Sequence, residues 1–210
     1  KAGGDEGAVG WWDGHKERVL IRSDYFLAPP QIENSRLQAQ PDEGLLVHEL
    51  VHASMSASLW RLPPWFTEGI AEYFSVCHQG GGWYLFRDLE SLIRNHLRRA
   101  ISRNKVGEHF HLVPVSSILA LNHQGWIKTS QSQPSGNAYL PYATALLLVH
   151  YHLHGGAGRR EKTSAHLAKI QGLSPRNQMP AFPTEEPGII QKRLVDYWSS
   201  RGLQLVFRAQ

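Results

Sequence analysis

Where hydrophobic residues recur along the chain, two regimes follow one another: short alternating runs near the start, then a long series with helical spacing. The segment GAVGWWDGHKERVLIRS reads as two short strands joined at Asp13-Gly14, a dipeptide suited to a tight hairpin turn, which predicts a small antiparallel sheet. After a Pro-containing loop the period changes. Over residues 42–59, Leu46, Leu50, Ala53 and Ala57 fall on one stripe, Asp42 suits the N-cap and Glu43 the first turn. Pro63 and Pro64 then stop this helix, and residues 65–76 resume as a second one.

Further on, FRDLESLIRNHLRRAISRN is amphipathic, with Leu89, Leu92, Ile93 and Leu97 on one face and charges on the other, a pattern that packing alone explains. A short helical turn at PVSSILAL precedes a polar loop rich in Ser, Gln and Asn. A long apolar helix over residues 139–154 follows, ended by Gly155-Gly156, and the tail offers helices near 163–171 and 185–200. With no internal repeat and no linker, the pattern predicts a single domain over 1–210, of α+β class, mostly helical with a small N-terminal β-sheet.

Composition adds bounds to this picture. At 210 residues and 41% hydrophobic content the chain is long enough to bury a core as one domain. The 22 Lys and Arg exceed the 18 Asp and Glu by a net +4, but they lie in short groups such as Arg98-Arg99 and Arg159-Arg160 rather than along one basic face, so no nucleic-acid partner is expected. The longest apolar run, around residues 143–149, falls far short of the ~20 residues of a membrane span. Cys77 is the single cysteine, so an internal disulfide is excluded; it ends an aromatic helix and reads as a buried structural thiol. The chain starts at Lys1 without Met and is expected to be a fragment lacking its N-terminus, where a signal peptide would lie.

The chemistry is concentrated in residues 48–74, HELVHASMSASLWRLPPWFTEGIAEYF. His48, Glu49 and His52 form H-E-x-x-H on a helix, which puts two imidazoles one turn apart on one face, where both can reach one metal ion. Glu49 points beside that ion, able to accept a proton from water. A bland alternative is a helix whose histidines are merely polar. A catalytic zinc site needs a third protein ligand, and Glu68 supplies a candidate after the Pro-Pro break; Glu72, one turn further, could bond the second nitrogen of a ligand His and fix its tautomer. Two carboxylates a turn apart among Trp65, Phe66, Ile70, Tyr73 and Phe74 would be costly to bury without a cation between them.

HELVH followed by PPWFTEGIAEYF resembles the gluzincin zinc metallopeptidases, and among them the bacterial peptidase MA-like domains of unknown function. The resemblance covers roughly residues 8–200 and is sharp only over 48–74. It implies a zincin-like fold around an HExxH active-site helix, a strand pair ahead of that helix, and a later helix opening in Tyr-Ala, as PYATALLLVHYHL does. Glu68-Gly69-Ile70-Ala71 matches the family's Glu-Gly-x-Ala pattern, which makes Glu68 the implied third ligand of Zn2+ and leaves Glu72 behind it. In the best-known members the gap after the second His is a few residues longer than the 15 residues between His52 and Glu68, and by spacing alone Glu72 also qualifies. The Gly-x-Met-Glu-Asn element with which aminopeptidase relatives grip a free amine is absent, which favours an endopeptidase.

The implied activity is hydrolysis of peptide bonds, with a peptide or protein as substrate, Glu49 as general base and Tyr142 as oxyanion donor; Tyr139, one turn earlier, competes for that last role, and either ring would serve equally as core packing. The chain is expected to act as a monomer, and the resemblance implies an extracytoplasmic or secreted location. A non-catalytic, zinc-stabilised module that binds peptide or cell-wall ligands is the rival reading. His150, His152 and His154 invite a second metal site, but only His150 and His154 share a helix face, and the helix dipole favours histidines at a C-terminus without metal. His109 and His111 read as ordinary strand or loop residues. Trp11, Trp12 and Trp83 could line a cleft or simply pack.

Overall fold

A computed structural model describes residues 10–13, 18–21, 31–33, 36–38, 43–59, 61–101, 105–106, 109–132, 138–156, 158–171, 173 and 179–208. Among them are eight helices and three small sheets, a mostly helical α+β architecture.

Strands β1 (Gly10–Asp13) and β2 (Arg18–Ile21) pair antiparallel, Gly10 opposite Ile21 and Asp13 opposite Arg18. Asp13 therefore still belongs to the ladder. The connection spans residues 14–17, not the two-residue turn at Asp13-Gly14 that the dipeptide suggests. A second hairpin joins β3 (Gln31–Glu33) and β4 (Arg36–Gln38). The first hairpin packs against α1 (Glu43–Leu59); the expected N-cap Asp42 lies outside the described residues.

Within α1 the buried positions are Val47, His48, Glu49, Val51 and Leu59, while Leu50 is 49% exposed. The inward face is thus rotated away from the expected Leu46–Leu50 stripe. The reason is α2 (Pro64–Cys77), which docks on the side that carries His48 and His52, and Leu50 stands on the opposite side of the helix from both.

Pro63 and Pro64 do more than end α1. Pro64 occupies the first turn of α2, where its missing N–H is not needed, and the Pro63 carbonyl accepts the amides of Phe66 and Thr67 at 2.9 and 3.1 Å. The Thr67 hydroxyl donates back to the Leu59 carbonyl at 3.0 Å, and at the far end Ser75 Oγ donates to the Gly44 carbonyl at 2.7 Å. These two bonds lock α1 and α2 side by side and antiparallel.

The centre of the fold is α6 (Leu140–His154). Every residue from Ala143 to Tyr151 is buried, as expected of a helix that is apolar around its whole circumference. It packs most closely on α2, at Gly69. A Cβ at that position would lie 2.5 Å from the Ala145 carbonyl oxygen and 2.7 Å from Val149 Cγ2, so only glycine admits this approach. Cys77 at the end of α2 is fully buried, and burial pushes its thiol up to about 12, in keeping with an inert structural residue.

Around this pair lie α3 (Leu89–Ala100), α4 (Val115–Leu119), α5 (His123–Ser132), α7 (Arg159–Gln171) and α8 (Pro187–Ser199). Leu89, Ile93 and Leu97 of α3 are buried as the pattern predicts, and Leu92 is partly so. Helix α5 occupies the start of the segment read as a polar loop. Its apolar signal is one buried Trp126, and Asn122 Oδ1 caps it by accepting the Gly125 amide at 2.8 Å, too little for periodicity to register. Helix α7 begins at Arg159, before the expected 163. A three-stranded sheet closes the other side: β5 (Lys105–Val106) runs antiparallel to β6 (His109–Leu112), and β7 (Gln204–Phe207) returns parallel to β6 with Phe110 opposite Leu205. His109 and His111 are strand residues, and no helix among the described residues is long and apolar enough to cross a membrane.

Candidate metal centre

Because α1 and α2 run antiparallel in contact, residues one turn apart on α1 face residues one turn apart on α2. His48 and His52 therefore meet Glu68 and Glu72. His48 Nε2 lies 3.0 Å from His52 Nε2 and 3.2 Å from Glu68 Oε2, and His52 Nε2 lies 3.4 Å from the same carboxylate oxygen. Three ligand-type atoms thus form a near-equilateral triangle. With metal–ligand bonds of about 2.0–2.1 Å, a tetrahedral zinc site has ligand–ligand edges of roughly 3.3 Å. The triangle already has that size.

The protons decide whether those atoms are ligands. His48 Nδ1–H donates to Glu72 Oε1 at 2.8 Å, so in the neutral imidazole Nε2 carries a lone pair, directed toward another imidazole nitrogen and a carboxylate. One proton can bridge two of these atoms but not all three, whereas a cation can engage all three at once. The electrostatics reflect this demand. Burial opposes a charge on His48, yet hydrogen bonds to Glu68 and Glu72 outweigh it and raise its pKa to about 10. Burial likewise pushes the two carboxyls up, but the hydrogen bonds from His48 and His52 to Glu68, and from His48 to Glu72, hold both well below the usual carboxylate range. The cluster is built to hold positive charge, and a divalent cation fits its donor set.

Glu49 is 6% exposed and stands outside the triangle, close enough to feel it: burial raises its carboxyl, while the charges of His48 and His52 oppose the rise. A carboxyl poised upward beside a candidate metal is suited to take a proton from water.

Glu72 is held on both oxygens. Oε1 accepts from His48, and Oε2 accepts the Tyr139 hydroxyl at 2.5 Å. Tyr139 in turn lies 2.5 Å from His96 Nε2, on α3. The Tyr139 hydroxyl is therefore committed behind Glu72, away from the triangle. Tyr142 sits nearer the ligands, its ring edge-on to His48 at a centroid distance of 6.0 Å and wedged between Trp126 at 5.3 Å and Tyr139 at 6.1 Å. Burial first, then the charge of Glu68, raise its phenol above the ordinary value, so it keeps its proton.

His96 is the residue that reading the sequence missed. It falls on the apolar stripe of α3, one turn after Leu92 and two after Leu89, a polar residue among hydrophobic positions, and at the site it meets Tyr139 and Glu72. The other candidates lie apart. His150 and His154 stack at 5.1 Å between centroids, while His152 packs on Trp65 and Phe182; none joins the triangle. Trp83 is 77% exposed on the loop after α2 and packs into no core; the side chains of Trp11 and Trp12 lie outside the described residues.

Compared with protein-family models, with curated proteins and with solved structures, the chain finds no match.

Proposed function

We propose that this protein is a zinc-dependent metallopeptidase of zincin-like fold that hydrolyses peptide bonds, as an endopeptidase. The observation that carries the reading is the triangle of His48 Nε2, His52 Nε2 and Glu68 Oε2, with Glu49 beside it and Glu72 behind it. His48, His52 and Glu68 would hold the ion, leaving a fourth position open. When bound, Zn2+ supplies the Lewis acidity that lowers the pKa of a water toward 7 and polarises the scissile carbonyl.

The chain's own groups do the rest. Glu49 accepts the proton that water loses as it adds to the carbonyl carbon, and delivers it to the amine as the C–N bond breaks, so the base returns to its starting state. Glu72 keeps Nδ1 of His48 protonated and Nε2 free. Tyr142 donates to the developing oxyanion; what favours it over Tyr139 is that the Tyr139 hydroxyl already serves Glu72. The β1–β2 hairpin packs on the same helix as the motif, and a strand edge there suits an extended peptide held by backbone pairing.

The test is the metal content of purified protein together with turnover of a casein-type substrate. About one zinc per chain, lost in Glu68→Ala, with turnover abolished in Glu49→Gln, is the expected result. A wild type without zinc after reconstitution overturns the reading. Zinc without turnover favours the rival, a zinc-stabilised module that binds peptide.

A further inference from the structure

The bonds that orient the ligands continue past Glu72. We propose that Tyr139 and His96 are positioning residues for the metal centre: they hold Glu72, and through it His48, in the orientation that leaves His48 Nε2 free as a ligand. This rests on the metal reading above.

Proton counting gives the chain a direction. A phenol has one hydrogen. With Tyr139 Oη 2.5 Å from Glu72 Oε2, that hydrogen must lie between them, because a carboxylate only accepts. Tyr139 Oη can then only accept from His96, so the Nε2 nitrogen 2.5 Å away must carry a hydrogen. At the other end the hydrogen lies on Nδ1 of His48, facing Glu72 Oε1. Every donor from His96 Nε2–H to His48 Nδ1–H points toward the Glu72 carboxylate.

The elements involved make this a brace and not a local contact. His48 is on α1, Glu72 on α2, His96 on α3, and Tyr139 immediately precedes α6. Three other segments of the chain thus converge on the carboxylate of Glu72, a residue that is 8% exposed. Hydrogen bonds to a buried carboxylate are charge-assisted, and removing one leaves an acceptor partly unsatisfied and free to rotate. Rotation of Glu72 about its side-chain torsions would break the 2.8 Å bond to His48 and release that imidazole's tautomer. His96 also stands 3.7 Å from Glu72 Oε2, so its hydrogen bond and its position both act on the same oxygen.

The experiment measures the dissociation constant of Zn2+ for the full chain by competition with a chromophoric chelator, in the wild type, Tyr139→Phe, His96→Ala, His96→Gln and the Tyr139→Phe/His96→Ala double variant. Tyr139→Phe keeps the ring stacked on Tyr142 and deletes only the hydroxyl; it is expected to weaken zinc by about tenfold, within the range for groups that orient ligands. His96→Ala should weaken it by a smaller factor, His96→Gln should restore most of that loss through its amide N–H, and the double variant should bind no more weakly than Tyr139→Phe alone. A residue acting only through general packing would give factors that multiply and would not be rescued by Gln. A Tyr139→Phe constant within twofold of wild type overturns the proposal. Should Tyr139→Phe fail to fold, the His96 pair decides: equal constants for Ala, Gln and wild type overturn it. A wild type that binds no zinc overturns the metal reading and this brace together, whereas a wild type that binds zinc beside indifferent variants overturns the brace alone.

Discussion

Glu72 Oε1 accepts the Nδ1–H of His48 at 2.8 Å, and this bond determines which nitrogen of His48 faces His52 and Glu68. Glu72→Gln keeps the shape but replaces a charged acceptor with a neutral amide that can turn its NH2 toward His48. Zinc affinity is expected to fall about 10- to 100-fold while the content at saturating zinc stays near one per chain. Glu68→Ala should instead lose the metal. Titration of the two variants with zinc separates the roles, and a Glu72 variant that holds no zinc at saturation would make Glu72 a ligand.

Removing the metal should cost stability. An ion that binds the folded chain alone at a hundredfold excess over its dissociation constant stabilises by about 2.7 kcal/mol. For a chain of this size that corresponds to roughly 5–10 °C in Tm. Thermal unfolding with and without a chelator should show this shift in wild type and almost none in Glu68→Ala.

Gly69 stands beside Glu68 at the closest approach of α2 and α6. An alanine there gains about 1 kcal/mol of helix propensity but sets its Cβ against a backbone carbonyl, which cannot withdraw as a side-chain tip can. The clash should win, for a net loss of about 1–3 kcal/mol in urea unfolding, with weaker zinc binding because Glu68 is displaced with its neighbour. A Gly69→Ala protein more stable than wild type would show that the two helices part freely.

His150 and His152 are each 2% exposed, and the Nε2 of each is buried without a hydrogen-bond partner among the described residues. Burial foremost, then His154 beside His150 and Arg159 near His152, lower both pKa values from 6.5 to about 4. Between these values the unfolded chain binds protons that the folded chain refuses, so stability falls as pH drops from about 6.5 to about 4 and is unaffected by these groups above it. Each can contribute up to about 3 kcal/mol across that window. His152→Leu, set in its aromatic cage of Trp65 and Phe182, should show a flatter acid slope in denaturant unfolding than wild type, and parallel slopes would count against a neutral buried His152.

Local pattern is enough to specify most of the helices, the first hairpin and the first half of the site. H-E-x-x-H places two imidazoles on one helix face because the helix repeats every 3.6 residues, and Pro63-Pro64 ends that helix wherever it is packed. Local rules carry that much. They left Glu68 and Glu72 both eligible by spacing, chose the wrong stripe on α1, and took α5 for loop, since which face turns inward and whether one Trp suffices for a helix depend on what docks there. The two nitrogens of an imidazole point in different directions, and only the antiparallel packing of α2 on α1 decides that Glu68 meets Nε2 and Glu72 meets Nδ1. In the same way His96 is one polar residue on the apolar stripe of α3, with no visible partner until Tyr139, 43 residues away at the start of α6, meets it in the site. Contacts between elements distant in the chain are set by burial and by the closing of hydrogen bonds in the assembled fold, which no local period encodes.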